Sequence, residues 1–153
     1  MECQLTQPQL SVINIHGGVF MLGHSRMVSM PQIDDCLARN WIVVVPNHRL
    51  CPQVNILEGP ITDCRDLLAW IYDGHLDAFL AGDSAQHVHG RQFQVDMDRV
   101  MAFGTSSGGT LALSLVGAYI PAPNAPPPRI SELEINFNPT SRAMMSPVRW
   151  PPS

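Results

Sequence analysis

The stretch Gly104-Thr105-Ser106-Ser107-Gly108 limits the fold more than any other part of the chain. The apolar run Val100-Met101-Ala102-Phe103 leads into it, and Thr110-Leu111-Ala112-Leu113-Ser114-Leu115 leads out. A G-x-S-x-G pattern between a strand and a helix predicts a sharp turn that holds one serine hydroxyl out into a site. Gly104 and Gly108, two residues either side of Ser106, leave room for that backbone. Upstream, Ile13-Asn14-Ile15-His16-Gly17-Gly18 offers a glycine-rich loop whose amides can be aimed at an oxyanion. No Asp and no His follow Ser106, so a Ser…Asp/Glu…His order is not completed.

The rest of the ordered sequence alternates strand and helix signals. Leu10–Ile15 is β-rich and stops at the glycines. Ser29-Met30-Pro31 starts a helix, with Pro31 in the first turn and Asp34 and Asp35 favourable to the helix dipole, running to about Arg39. Trp41-Ile42-Val43-Val44-Val45 reads as a strand buried on both faces and ended by Pro46. Ile61, Cys64, Leu67, Leu68 and Ile71 recur at helical spacing, and Leu76, Phe79 and Leu80 extend that face past Gly74. Residues 82–95 read as a surface loop, Arg99–Phe103 as the third strand and Ser107 to about Tyr119 as the third helix. This alternation implies parallel crossovers and an α/β layer fold. Nine of the fourteen prolines fall in residues 121–153, which predicts an irregular tail.

Composition removes several classes of function. The 153 residues suffice for one domain with a sizeable core. A net charge of −4 with no lysine gives no basic footprint, so no nucleic-acid partner is expected. Cys3, Cys36, Cys51 and Cys64 lack zinc or redox spacing and read as plain buried or half-buried thiols. No metal and no cofactor are expected, and His87-Val88-His89 reads as a solvated pair. Residues 100–128 carry no charge and exceed the roughly 20 residues of a bilayer span. Seven consecutive Gly, Ser and Thr residues from Gly104 to Thr110 argue for strand, turn and helix instead, hence no membrane span. Met1–Leu10 has no basic start and no long apolar core, which predicts a cytoplasmic chain without a secretory signal. His16 reads as a loop-orienting residue, Asp63, Asp66, Asp73 and Asp77 as a wet helix face, and Trp70 and Tyr72 as packing groups.

Three motifs in order carry a family resemblance: His16-Gly17-Gly18, the strand leading to Asn47-His48-Arg49-Leu50-Cys51-Pro52 with its following helix, and Gly104-Thr105-Ser106-Ser107-Gly108-Gly109. Over about residues 10–117 the chain resembles the α/β-hydrolase fold-3 family, the esterases and lipases related to hormone-sensitive lipase, and its fungal members in particular. The resemblance implies a partial α/β-hydrolase fold over residues 10–120: three layers, a short parallel sheet, and the Pro-rich tail 121–153. It implies a serine hydrolase of carboxylic esters with Ser106 as nucleophile. Gly17, Gly18 and the Ser107 amide would form the oxyanion hole, with His16, Gly104, Gly108 and Gly109 in support. Val19 stands where the family usually has a third glycine, and Thr105 and Ser107 where Asp and Ala are common.

The family's acid and base lie on strands after the nucleophile helix, which this sequence does not continue. The expectation is therefore a truncated relative, inactive alone, that would take a small carboxylic ester if active. Glu132 and Glu134 follow the serine without a histidine, and His48 or His75 could serve as base only by an unusual geometry. The alternative is a non-catalytic fragment that self-associates through open sheet edges or displays Pro123-Asn124-Ala125-Pro126 to a partner.

Overall fold

A computed structural model describes residues 7–82, 93–116, 132–136 and 148–149. Its framework is β1 (Gln9–Ile15), α1 (Met30–Ala38), β2 (Ile42–Asn47), α2 (Thr62–Tyr72), α3 (His75–Ala81), β3 (Val95–Gly104) and α4 (Ser107–Ser114), followed by β4 (Glu132–Asn136) and β5 (Val148–Arg149). The sheet runs β3-β1-β2-β4-β5, with β1 parallel to both β2 and β3.

The apolar residues of β1 and β2 explain the layers. Successive side chains of a strand point to opposite faces, and both faces are apolar here. Ile13, Ile15, Ile42 and Val44 pack with Leu67, Ile71, Leu76 and Leu111 from α2, α3 and α4. Val12, Val43 and Val45 pack with Ile33 and Cys36 from α1 on the other side. The result is the expected α/β three-layer arrangement around a short parallel sheet.

Several boundaries differ from the sequence expectation, each for a physical reason. Pro46 lies inside β2 rather than ending it. The last β1–β2 pair is Ile13–Val44, so the N–H that proline lacks removes no bond to β1. The long apolar helix is two helices, because Gly74 adopts φ +81° between Tyr72 and His75. Leu76 and Leu80 nonetheless join the same core as Leu67 and Ile71, so the apolar face continues across the break. The tail was expected to be irregular, yet two of its segments are strands. β4 pairs antiparallel with β2, and β5 pairs antiparallel with β4, so the three parallel strands are extended to five strands among the described residues. Extended backbone next to the β2 edge satisfies its peptide groups, a gain that proline counting does not register.

β3 is longer than expected. Its ladder with β1 is regular from Ser11–Val100 to Ile15–Gly104, and a bulge separates that stretch from the outer pair Gln9–Val95. Three of the cysteines are described, and all are free thiols. Burial, followed by the neighbouring Asp63, pushes the Cys64 thiol up to about 12, so it packs as a small apolar side chain. Cys3 and the pair His87 and His89 lie outside the described residues.

Candidate functional site

β3 ends at Gly104 and α4 begins at Ser107, so two residues turn the chain from strand to helix. Ser106 takes the strain of that turn. Its φ of 53° and ψ of −123° lie in a region that non-glycine residues rarely occupy. The same conformation leaves the side chain exposed, while Ser107 and Gly108 are buried. Gly108 is held by close approach rather than by φ: a Cβ there would collide with the Ile15 carbonyl and stand 2.6 Å from that of His16. Gly104 meets the same Ile15 carbonyl, whereas Gly109 is only mildly confined by the Gly104 carbonyl at 3.2 Å.

The loop after β1 lies against this turn. A Cβ placed on Gly17 would be 3.3 Å from the Ser106 Cβ and 2.8 Å from the Thr105 carbonyl. Gly18 requires glycine outright, with φ +128° and the Leu22 carbonyl where a Cβ would go. Its own carbonyl accepts the Met21 and Leu22 amides at 2.9 and 3.0 Å, which closes the loop into a compact turn. The amides of Gly108 and Gly109 turn back to the carbonyls of Thr105 and Ser106 at 2.9 and 3.0 Å. Among the described residues the amides of Gly17, Gly18 and Ser107 have no such partner.

Val19 completes the loop at a cost. It adopts φ +55°, a left-handed conformation that a β-branched residue tolerates poorly. With 64% of its surface exposed it gains little burial in return. Val19→Gly is therefore expected to stabilise the chain by about 0.5–1 kcal/mol, the relief of strain exceeding the extra entropy of an unfolded glycine. A urea midpoint that stays put or falls would show that the loop holds Val19 without strain.

His16 lies at the start of the loop. It is fully buried, and its Nδ1 lies 2.7 Å from the Gly17 carbonyl. A carbonyl only accepts, so Nδ1 carries the proton. Burial pushes the His16 imidazole below its ordinary range, His48 and His24 add to this, and the Gly17 bond opposes it. The ring is thus neutral at pH 7 and suited to a fixed structural role.

The segment Asn47–Pro52 was part of the motif set, but sequence reasoning gave it no task. The structure shows it buttressing the glycine loop. Asn47 Oδ1 accepts the Ser25 amide at 2.6 Å, and the Cys51 amide donates to the Phe20 carbonyl at 2.8 Å. The His48 ring stacks on His16 with centroids 4.4 Å apart and planes 12° from parallel. Asp63 is a correction: it is 3% exposed rather than on a wet face. It accepts the Arg49 amide at 2.7 Å and the Arg49 guanidinium at 2.8 Å. Asp77 is also engaged, accepting the Val95 amide at 2.7 Å.

Neither histidine weighed as a substitute base hydrogen-bonds Ser106. His48 lies in the stack with His16, and His75 lies against Trp70 on α3, their ring centroids 6.0 Å apart. No cluster of three or more metal-ligating side chains occurs among the described residues. A cleft of about 280 Å³ between α2, β3 and α4 is lined by Leu68, Tyr72, Val100, Met101, Ala102, Ala112, Leu115 and Val116, and by no residue of the serine turn or the glycine loop. No helix of the described residues is long and apolar enough to cross a membrane.

A family profile described as alpha/beta hydrolase fold matches residues 12–147. Among curated proteins, non-reducing polyketide synthase ascC of Acremonium egyptiacum is 32% identical over 122 residues, covering 80% of this chain and 5% of the synthase. Non-reducing polyketide synthase Preu6 of Preussia isomera is 33% identical over 126 residues, again 5% of its length. Methylphloroacetophenone synthase of Cladonia uncialis is 36% identical over 101 residues, covering 66% of this chain and 4% of the synthase. The chain thus corresponds to only a small part of each of these relatives. No solved structure matches it.

Proposed function

The chain belongs to the alpha/beta hydrolase fold family, and on that premise we propose that it carries the nucleophile and oxyanion half of a serine acyl-hydrolase site. The Ser106 turn carries the reading: a strained, exposed serine at a strand–helix junction, with the Gly17–Gly18 loop packed on it. In that chemistry Ser106 Oγ adds to the carbonyl carbon of a carboxylic ester as it gives up its proton; the tetrahedral intermediate breaks its C–O bond to the alcohol, which leaves with that proton, and water hydrolyses the resulting acyl-enzyme to the acid and free serine. The amides of Gly17, Gly18 and Ser107 stabilise the oxyanion of each tetrahedral step.

No His or Asp follows Ser106, so residues 107–153 supply no base in the family's order. Turnover by this chain alone is expected at the level an oxyanion hole sustains by itself, roughly 10³–10⁴ over water. Relatives named as polyketide synthases favour a polyketide acyl group as the cargo over a simple lipid ester. We also propose a cytoplasmic location, a hydrolase-like part over residues 10–120 and a Pro-rich tail over 121–153, two segments of which extend the sheet.

A second reading is a non-catalytic interaction module, since neither His48 nor His75 hydrogen-bonds Ser106. β3 is an edge strand among the described residues, open to pairing with a second copy. The same strand carries Asp96, Asp98 and Arg99, charges of the kind that discourage edge pairing. The P-x-x-P stretch at Pro123–Pro126 lies outside the described residues.

Intact-mass analysis after fluorophosphonate treatment separates the two. One slowly formed adduct is expected on the parent chain and none on Ser106→Ala. No adduct on a chain shown to be folded would remove the nucleophile reading and leave the interaction module.

A further inference from the structure

Two imidazoles stacked in the interior, each with one ring nitrogen lacking a partner, are a costly arrangement to maintain. His16 and His48 are 1% and 5% exposed, and the Nε2 atoms of both are buried without a hydrogen-bond partner among the described residues. Buried polar atoms are rarely left unpaired unless the arrangement serves something else.

The geometry around Gly17 shows what is served. A trans peptide is planar, so its C=O and the following N–H point in opposite directions. The His16 Nδ1–H bond to the Gly17 carbonyl therefore fixes the plane of the Gly17–Gly18 peptide and turns the Gly18 amide away from the ring. That amide is correctly aimed only while the His16 ring keeps its plane. Among the described residues nothing hydrogen-bonds Nε2 of His16, so within them the ring plane is set by the Nδ1 bond on its edge and by what packs on its face. His48 packs there, nearly parallel at 4.4 Å. His48 is fixed in turn by its own Nδ1, 3.1 Å from the Arg49 carbonyl. The Arg49 backbone is pinned to α2 by the 2.7 Å bond from its amide to Asp63.

We infer that His48 is a positioning residue for the oxyanion loop, holding the His16 ring in the plane that aims the Gly18 amide, with Asp63 anchoring it through Arg49. The inference rests on Gly18 as an oxyanion donor for its catalytic meaning, but the mechanical claim can be tested without turnover. His48 touches no reacting atom; it acts through His16.

Amide hydrogen exchange on the full chain reads the effect. The reporters are Met21 and Leu22, whose amides close the loop on the Gly18 carbonyl. The controls are Val43, Val44 and Val45 in β2. His48→Leu removes the aromatic face, and His48→Phe keeps one. In His48→Leu the Met21 and Leu22 amides should exchange roughly three- to tenfold faster, the range set by the free energy of an aromatic pair. His48→Phe should restore slow exchange, and the β2 amides should not change in either variant. Unchanged loop exchange in His48→Leu would overturn the inference. So would an equal rise in the β2 amides, which marks a general packing role, or a failure of Phe to restore the loop. Fluorophosphonate labelling of the same variants should slow and recover in parallel with the exchange. A parent chain that does not label fails the nucleophile reading, while the exchange data still decide whether His48 holds the loop.

Discussion

Gly108→Ala is expected to cost about 3 kcal/mol of stability and to disorder the serine turn, although alanine is the better helix former by about 1 kcal/mol. The reason is steric. The added methyl would collide with the Ile15 carbonyl and stand 2.6 Å from the His16 carbonyl, and neither is the mobile end of a side chain. Relief requires α4 to move off β1, which breaks contacts of Leu111, a fully buried member of the main core. Gly109→Ala is the matched control. Its methyl meets only the Gly104 carbonyl at 3.2 Å, so helix propensity and mild crowding nearly cancel. Urea unfolding of the pair gives the answer, with a large fall in midpoint at 108 and almost none at 109. Equal effects at the two positions would mean that α4 is not seated on β1 as described.

The second large effect lies at Asp63. Removing one partner of a buried ion pair leaves the other desolvated and unpaired, which typically costs 3–5 kcal/mol. Arg49 retains 39% side-chain exposure and recovers some solvation, so Asp63→Ala is expected at the lower end, about 3 kcal/mol. The loss goes beyond the ion pair, because the carboxylate also accepts the Arg49 backbone amide. Arg49→Ala should cost at least as much, because it strands the 3%-exposed carboxylate with only the Arg49 amide as partner and also removes the guanidinium bond to the Glu58 carbonyl. Denaturant midpoints for the two variants test the order. A clearly smaller loss in Arg49→Ala would assign the energy to the backbone clamp rather than to the guanidinium.

The parts of the fold legible in the sequence are those written in local patterns. The β-branched run at Ile42–Val45 and the alternation around Ile13 and Ile15 need no distant partner to be recognised as strands. The Ser106 turn is equally local, since glycines, serine and flanking apolar runs fall within sixteen residues from Val100 to Leu115. Contacts between distant segments were not legible. Asp63 reads as solvent-facing on its own helix, and only Arg49, fourteen residues earlier, makes it a buried anchor. The His16–His48 stack depends on two loops meeting at the ends of neighbouring strands, which no spacing rule encodes. In the tail, Leu133 and Ile135 alternate with Glu132, Glu134 and Asn136, a strand signal obscured by the surrounding prolines. Five residues of alternation are weak by themselves; the open β2 edge makes them a strand.

The β3 bulge has a consequence for how freely this molecule can vary. Between Gln9–Val95 and Ser11–Val100 the bulged strand spends five steps where β1 spends two, and the excess falls wholly before Val100. From Ser11–Val100 onward the pairing is one to one up to Ile15–Gly104, the pair next to both the glycine loop and Ser106. A slip of one residue there would shift the serine by roughly 3.3 Å along the strand and reverse its face. A residue gained or lost before Val100 can instead be absorbed by the slack already present. The chain thus has an expansion joint in β3, which lets the segment entering the strand change length while the serine keeps its alignment with the glycines.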